Sequence, residues 1–468
     1  MHSYFYHFAA SLFLASGLAQ TTASISATSL ATAALSTLST IAGSNVSIPT
    51  GSYITYSSTV TLSSSVTSAV NVSTNGTALS TSTRNSNILV GSSHSSTGTS
   101  TGSSVAPSNT QPCNNYAAFC SRKYSNITQV SSHNSAFAVK NNLFSNQDVS
   151  ITGQLNDGVR MSRSSQVLPL GCKVFYVLTL TSVQGETHHV NNSIYSCHTS
   201  CDYLNAGPYS SLLTTVREWL DANPYDVVTL LIVNSDYVSP TLYEPAFNTS
   251  GMLKYVYRPP KIPMALDDWP TLSELILANT RVIVFMDYQA NQTEVPYILD
   301  EFSQMAESPF SPTDPTFPCD MQRPPGITQN QTMDRLYLAN HNLNVAISLG
   351  GSDILIPNFA DLEITNSVNG TSGLGTMADR CKTMYAGRPP NFLLVDYYDL
   401  GNYTVGSEVK NGSVFEVAAM MNGVEYDRSC CGLSTALYSS AGTGRGGGGG
   451  SRGVIAAMVV VIVMMALA

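Results

Sequence analysis

The stretch SLLTTVREWLDANPYDVVTLLIV, residues 211–233, decides the fold. Its first part has a helical pattern that stops at Asn223-Pro224. Its second part, VVTLLIV (227–233), is a continuous apolar run of the kind buried strands carry. The same grammar returns at TLSELILAN (271–279), where Thr271 follows Pro270 as a helix cap, and then at RVIVFMD (281–287). FLLVD (392–396) is a further apolar run. Helix, short turn, then an uninterrupted apolar strand predicts a parallel α/β sheet covered on both faces. An open doubly wound sheet shares this pattern. Asp287 and Asp396 close two of the runs, and α/β barrels keep their chemistry at the carboxyl ends of their strands.

Outside this region the texture changes. The chain opens MHSYFYHFAASLFLASGLAQ, an apolar run ending in small residues, so residues 1–19 are expected to be a secretory signal peptide. Residues 20–112 are mostly Ser, Thr, Ala, Gly and Val. Such a composition cannot bury enough apolar surface to offset its ordering entropy, and it predicts a disordered, mucin-like stalk. Residues 439–468 run from the small residues Ser440-Ala441-Gly442 through Gly446–Gly450 to the apolar end VIAAMVVVIVMMALA. That order is the pattern of a GPI-attachment signal, with a C-terminal membrane anchor as the alternative. Either way the protein is expected at the cell surface or cell wall. N-x-S/T sequons at Asn45, Asn71, Asn75, Asn126, Asn191, Asn248, Asn291, Asn330, Asn369, Asn402 and Asn411 agree with a secreted glycoprotein. The formal net charge is -9 and no basic patch is present, which sets nucleic-acid partners aside.

The domain expected at 113–438 contains all nine cysteines of the chain. Sequential neighbours suggest the disulfides Cys113–Cys120, Cys197–Cys201 and Cys319–Cys381, leaving Cys430 and Cys431 open. Cys172 is odd by count and by neighbourhood. It lies in SRSSQVLPLGCKVFYVLTLTSV (162–183), which interrupts GVRM and QGETHH. That segment reads as translated intron sequence, or else as a loop insertion with a free thiol. The motif CHTSC (197–201) has one residue too many for a C-x-x-C redox pair. A zinc site would want further ligands, and no second Cys/His cluster of suitable spacing follows. In a secreted chain it reads as a small disulfide loop holding His198.

A second histidine lies in SHNSAF (132–137). It follows the strand-like NITQV, so His133 is expected just past a strand end. SHNSAF, QLNDGVRM, QGETHH, CHTSCDYLNAGP, VREWLDANPYDVVTLLIVN and PNFLLVDYYDLGN fall in order along the domain. In these landmarks the chain resembles the X-domain family of phosphatidylinositol-specific phospholipase C. More closely, it looks like the secreted fungal branch of phospholipase C-like phosphodiesterases. The resemblance implies a TIM-type (β/α) barrel after the stalk. It also implies a phosphoric diester hydrolase acting on a phosphoinositide or GPI-type lipid at a membrane, as a monomer.

The family mechanism carries over residue by residue. His133 would be the general base on the inositol hydroxyl beside the phosphate. His198 would protonate the departing lipid oxygen. Asp396 would hold the tautomer of His133, the alternative being a structural carboxylate. The family balances phosphate charge with an arginine or with calcium. Asn134 and Glu186 match the calcium type and Gln184 stands on the same strand, so all three are candidates for substrate or phosphate binding, and Asn134 and Glu186 for Ca2+. Val233 stands where a calcium acid belongs, with Asn234 adjacent, and Arg160 matches a structural arginine. His188 and His189 read as loop residues. The alternative function is a catalytically impaired barrel that binds lipid or glycan at the cell surface. A metal-dependent glycerophosphodiesterase is the weaker third reading, since no His-Arg pair followed by Glu-x-Glu occurs.

Overall fold

The computed structural model describes residues 52–56, 58–62, 111–157, 181–349 and 352–426. The expected signal peptide and attachment signal, most of 162–183, and Cys172, Cys430 and Cys431 lie outside the described residues. The strands are β1 (Val60–Thr61), β2 (Gln129–Ser132), β3 (Thr181–Val190), β4 (Ser193–His198), β5 (Leu204–Pro208), β6 (Val228–Asn234), β7 (Lys261–Ile262), β8 (Val282–Met286), β9 (Ile298–Asp300), β10 (Met305–Glu307), β11 (Leu336–Asn340), β12 (Asn344–Leu349), β13 (Ser352–Pro357), β14 (Phe392–Val395), β15 (Asn402–Val405) and β16 (Glu408–Asn411).

The decisive stretch folds as its pattern requires. The helix Tyr209–Ala222 follows Pro208 and ends at Asn223, before Pro224, because a residue ahead of proline is pushed out of the helical region. Tyr209, Leu213, Val216 and Leu220 are buried along one stripe three to four residues apart. They pack on Val228, Leu230 and Ile232 of β6 and on Val282, Val284 and Met286 of β8. Alternate residues of these strands, Leu231, Ile283 and Phe285, join the other hydrophobic cluster. Both faces of the sheet are therefore apolar, which is why the runs read as continuous. Thr271 caps the helix Leu272–Leu277 in a reciprocal pair with Glu274, as expected.

The strand order distinguishes a barrel from an open sheet. Parallel neighbours run β2-β3-β6-β8-β9 on one side and β2-β14-β11-β10 on the other. Chain order is kept all round, and the last strand, β14, pairs with the first, β2. A doubly wound sheet would reverse its order at a switch point. The path ends at β9 and β10, which are joined by the single helical turn Glu301–Gln304. The fold is a TIM-type (β/α) barrel with its seam at that turn.

Three expectations are corrected. Residues within the stretch read as stalk are ordered against the barrel: β1 pairs antiparallel with β7. Thr181, Ser182 and Val183, counted with the extra segment, open the second barrel strand and pair with Val130, Ser131 and Ser132. His188 and His189 are strand residues, because β3 runs beyond the barrel and turns through β4 and β5 as an antiparallel flap. The three expected disulfides, Cys113–Cys120, Cys197–Cys201 and Cys319–Cys381, are formed.

Candidate active site at the barrel mouth

β2 delivers His133 one residue past its end, as the sequence predicts, and β14 delivers Asp396 beside it. The His133 backbone N–H donates to the Val395 carbonyl at 2.9 Å, locking the two strand ends together. His133 Nδ1 lies 2.7 Å from Asp396 Oδ1. Since Asp396 is 1% exposed and can only accept when ionised, Nδ1 carries the proton and Nε2 keeps its lone pair. Asn146 Nδ2 donates to the same Asp396 oxygen at 2.9 Å. Asn342 Nδ2 is 3.5 Å from Nε2. Gln147 Nε2 donates to the His133 carbonyl at 2.8 Å. The ring is thereby fixed in place and in tautomer.

His198 arrives from another direction, at the end of β4 in the flap. Its Nδ1 donates to the Phe144 carbonyl at 2.6 Å, and Phe137 stacks on its ring at 5.2 Å. Its Nε2 edge lies 4.0 Å from Glu186 Oε2, whereas His133 Nε2 has the Asn134 amide nitrogen at 3.3 Å. Burial lowers the His198 pKa from 6.5, and the charge of Glu186 works against that shift. Both histidine side chains remain 12% exposed, so each can be reached from the mouth.

Glu186 bridges this flap to the barrel. Its Oε2 accepts the Thr199 backbone N–H at 2.8 Å and its Oε1 accepts the Ser235 hydroxyl at 3.0 Å. His188 Nε2 lies 3.4 Å from Oε1, while His188 Nδ1 meets Asp236 at 2.8 Å. Burial opposes ionisation of Glu186, but the His188 hydrogen bond and the His198 charge hold its pKa below 4.5. The Glu186 hydrogen bond in turn raises that of His188. Gln184 Oε1 accepts the Asn134 N–H at 2.7 Å, where Asn134 turns with φ 47°. The Asn134 Oδ1 accepts the Glu186 N–H at 3.3 Å. Val233 lines the pocket as an apolar wall, and Asn234 is buried with its amide donating to the Val238 and Tyr288 carbonyls.

The oxygens read as calcium donors are engaged with the protein. Both Glu186 oxygens and the Gln184 and Asn134 carbonyl oxygens accept protein hydrogens, and among the described residues no three His, Cys, Asp or Glu side chains converge as metal ligands.

Among the described residues, a cation reaches this pocket from a loop that motif reading passed over. Arg323 lines the same pocket as His133, with Gln184, Asp287, Glu301, Glu307 and Asn342. It is 2% exposed, 3.3 Å from Glu307 Oε2 and 3.7 Å from Asp287 Oδ2. Its guanidinium sits 5.5 Å from the ring centre of Tyr288, 4.6 Å from Phe302 and 4.4 Å from Phe310. Burial lifts the Asp287 carboxyl to about 6 against the pull of Arg323. Arg160 lies outside the described residues.

The family model described as PI-PLC X 1 matches residues 119–168 and 178–411. The chain is 49% identical over 366 residues, 78% of its length, to an uncharacterized secreted protein of Arthroderma benhamiae, 76% of which is covered. It is 38% identical over 302 residues to the PI-PLC X domain-containing protein 1 of the same organism, covering 64% of this chain and 89% of that one. Among solved structures, the phosphatidylinositol-specific phospholipase C of Listeria monocytogenes aligns with a TM-score of 0.37 and 11% identity, over 66% of this chain and 96% of that one.

Proposed function

This chain belongs to the PI-PLC X-domain family, and on that premise we propose that it is a phospholipase C-like phosphodiesterase acting on a phosphoinositide or GPI-type lipid. The observation that carries the proposal is the 2.7 Å contact of His133 Nδ1 with Asp396, which leaves Nε2 as a base at the barrel mouth. In the reaction proposed, His133 Nε2 takes the proton of the hydroxyl next to the phosphate. That oxygen forms a bond to phosphorus as the bond to the lipid oxygen breaks. Protonated His198 gives its Nε2 proton to the leaving alcohol, and a cyclic phosphate results. Asp396 stabilises the imidazolium that forms on His133.

The test is release of water-soluble phosphate ester from phosphatidylinositol vesicles by the full chain, with calcium and with chelator. His133→Ala, His198→Ala and Asp396→Asn are each expected to lower turnover by about two to four orders of magnitude. An activity indifferent to all three overturns the assignment. The binding-only reading has one observation in its favour: Glu307 and Asp287 already neutralise the guanidinium at the pocket, whereas phosphoryl transfer needs unspent positive charge. Head-group binding without turnover in the unaltered protein would establish it.

The secreted name of the Arthroderma relative supports secretion. We assign 1–19 to a signal peptide and 439–468 to a GPI signal or membrane anchor on the sequence pattern. The family model leaves residues 169–177 unmatched, inside the segment read as intron-derived. A mature transcript that encodes 162–183 would rule out the intron reading.

A further inference from the structure

Residues 52–56 and 58–62 lie in the Ser/Thr-rich stretch 20–112, yet they pack on the barrel domain. Tyr53 and Tyr56 are the aromatic residues of that whole stretch, and both face the barrel. β1 adds to β7 in antiparallel register, Val60 opposite Ile262 and Thr61 opposite Lys261. The Leu62 N–H donates to the Pro260 carbonyl at 2.8 Å. This is strand addition in cis, with main-chain hydrogen bonds setting the register. The Tyr53 ring lies 4.9 Å from Phe302 and 5.7 Å from Tyr288, and its hydroxyl is 3.3 Å from that of Tyr288. Tyr288 and Phe302 are two of the rings around Arg323. Burial, then the charge of Asp300, pushes the Tyr56 phenol up to about 12. A cavity of about 500 Å³ lies between the segment and the loop 289–294.

We propose that residues 52–56 and 58–62 form a built-in strap whose Tyr53 braces the Tyr288–Phe302 side of the Arg323 box and thereby positions the guanidinium at the pocket. Aromatic pairs stabilise beyond the area they bury, enough to bias where a buried side chain rests. Tyr53 is a positioning residue. It acts through Tyr288 and Phe302, and the effect on head-group binding rests on the function proposed above.

Docking is tested first, without reference to activity. In the full chain, Val60→Cys combined with Ile262→Cys should give a disulfide between positions 60 and 262 on mild oxidation, found by peptide mapping. A Val60→Cys/Thr241→Cys pair serves as the mismatched control. Absence of the 60–262 link, or equal yield in the control, overturns docking. The brace is tested by hydrogen exchange in Tyr53→Ala and Tyr53→Phe. Tyr53→Ala should speed exchange several-fold in peptides covering 286–289 and 320–324, and Tyr53→Phe should restore protection because the ring remains. Unchanged exchange in Tyr53→Ala overturns the brace. With phosphatidylinositol, Tyr53→Ala should raise KM several-fold and leave kcat, whereas a fall in kcat alone overturns a binding role. If the unaltered protein shows no turnover, the phosphodiesterase reading falls while the cross-link and exchange still decide the strap.

Discussion

His198 shows how one side chain carries two opposed demands. The acid role proposed for His198 requires it to enter protonated, yet burial lowers its pKa from 6.5. Turnover is therefore expected to fall as pH rises through that lowered value, giving an optimum on the acid side. Glu186 is the main group holding the pKa up. Glu186→Gln should move the alkaline limb of kcat to still lower pH, and titration of the His198 ring by NMR should show the same direction. A limb that stays in place or moves to higher pH would contradict the acid role. For stability the sign follows from linkage: the unfolded chain binds the His198 proton more tightly. The contribution of this residue is present above the unfolded pKa and is lost as pH falls below it.

At the scale of elements, the flap β3–β4–β5 and the disulfide Cys197–Cys201 hold His198 at the mouth. The Thr199 N–H that reaches Glu186 lies inside this disulfide loop. A bridge spanning 4 residues removes little unfolded-state entropy, about 2 kcal/mol, whereas Cys319–Cys381, spanning 62, removes about 4 kcal/mol. The two bridges should thus separate function from stability. Replacing Cys197 and Cys201 by alanine is expected to lower turnover at least tenfold with a modest loss in melting temperature. Replacing Cys319 and Cys381 should cost more melting temperature and leave kcat of the folded protein unchanged. The reverse pattern would show that the flap does not depend on its bridge.

The whole barrel stores a charge problem at its seam. Asp300, 1% exposed, is pushed up to about 7 by burial, and Asp287 to about 6. Their unfolded values lie near 3.8, so the folded state binds the protons more tightly. Their stabilisation is complete below the unfolded pKa and is lost as pH rises through about 6 to 7. The melting temperature should fall between pH 5 and pH 8, opposite to the His198 effect. The acids are expected to win, since burial raises Glu301 and Asp399 in the same direction as Asp287 and Asp300. Asp300→Asn keeps an acceptor for the Ser303 N–H that Asp300 now caps at 2.8 Å and should flatten the profile. A profile that Asp300→Asn leaves unchanged would place the titrating group elsewhere.

The sequence alone determined much of the framework, because that information is local. Period and punctuation in 211–233 and 271–287 announced parallel strands covered by helices, and SHNSAF put His133 past a strand end. Asp396 closed its apolar run, and sequential cysteines paired. What only the tertiary structure decided depends on barrel closure. Curling the sheet brings β14 against β2, so residues 263 positions apart share a 2.7 Å hydrogen bond. It also brings Arg323, Asn146 and Asn342 to His133, although their loops carry no motif. The strand position of Glu186 was visible in the sequence, and its partners Thr199, Ser235 and His188 were not. His188 and His189 read as a loop because antiparallel pairing with β4, not local pattern, extends their strand. The strap was hidden for the same reason. Its composition is that of a disordered stalk, and two tyrosines gain order only where the folded barrel offers an edge to pair with and rings to pack on.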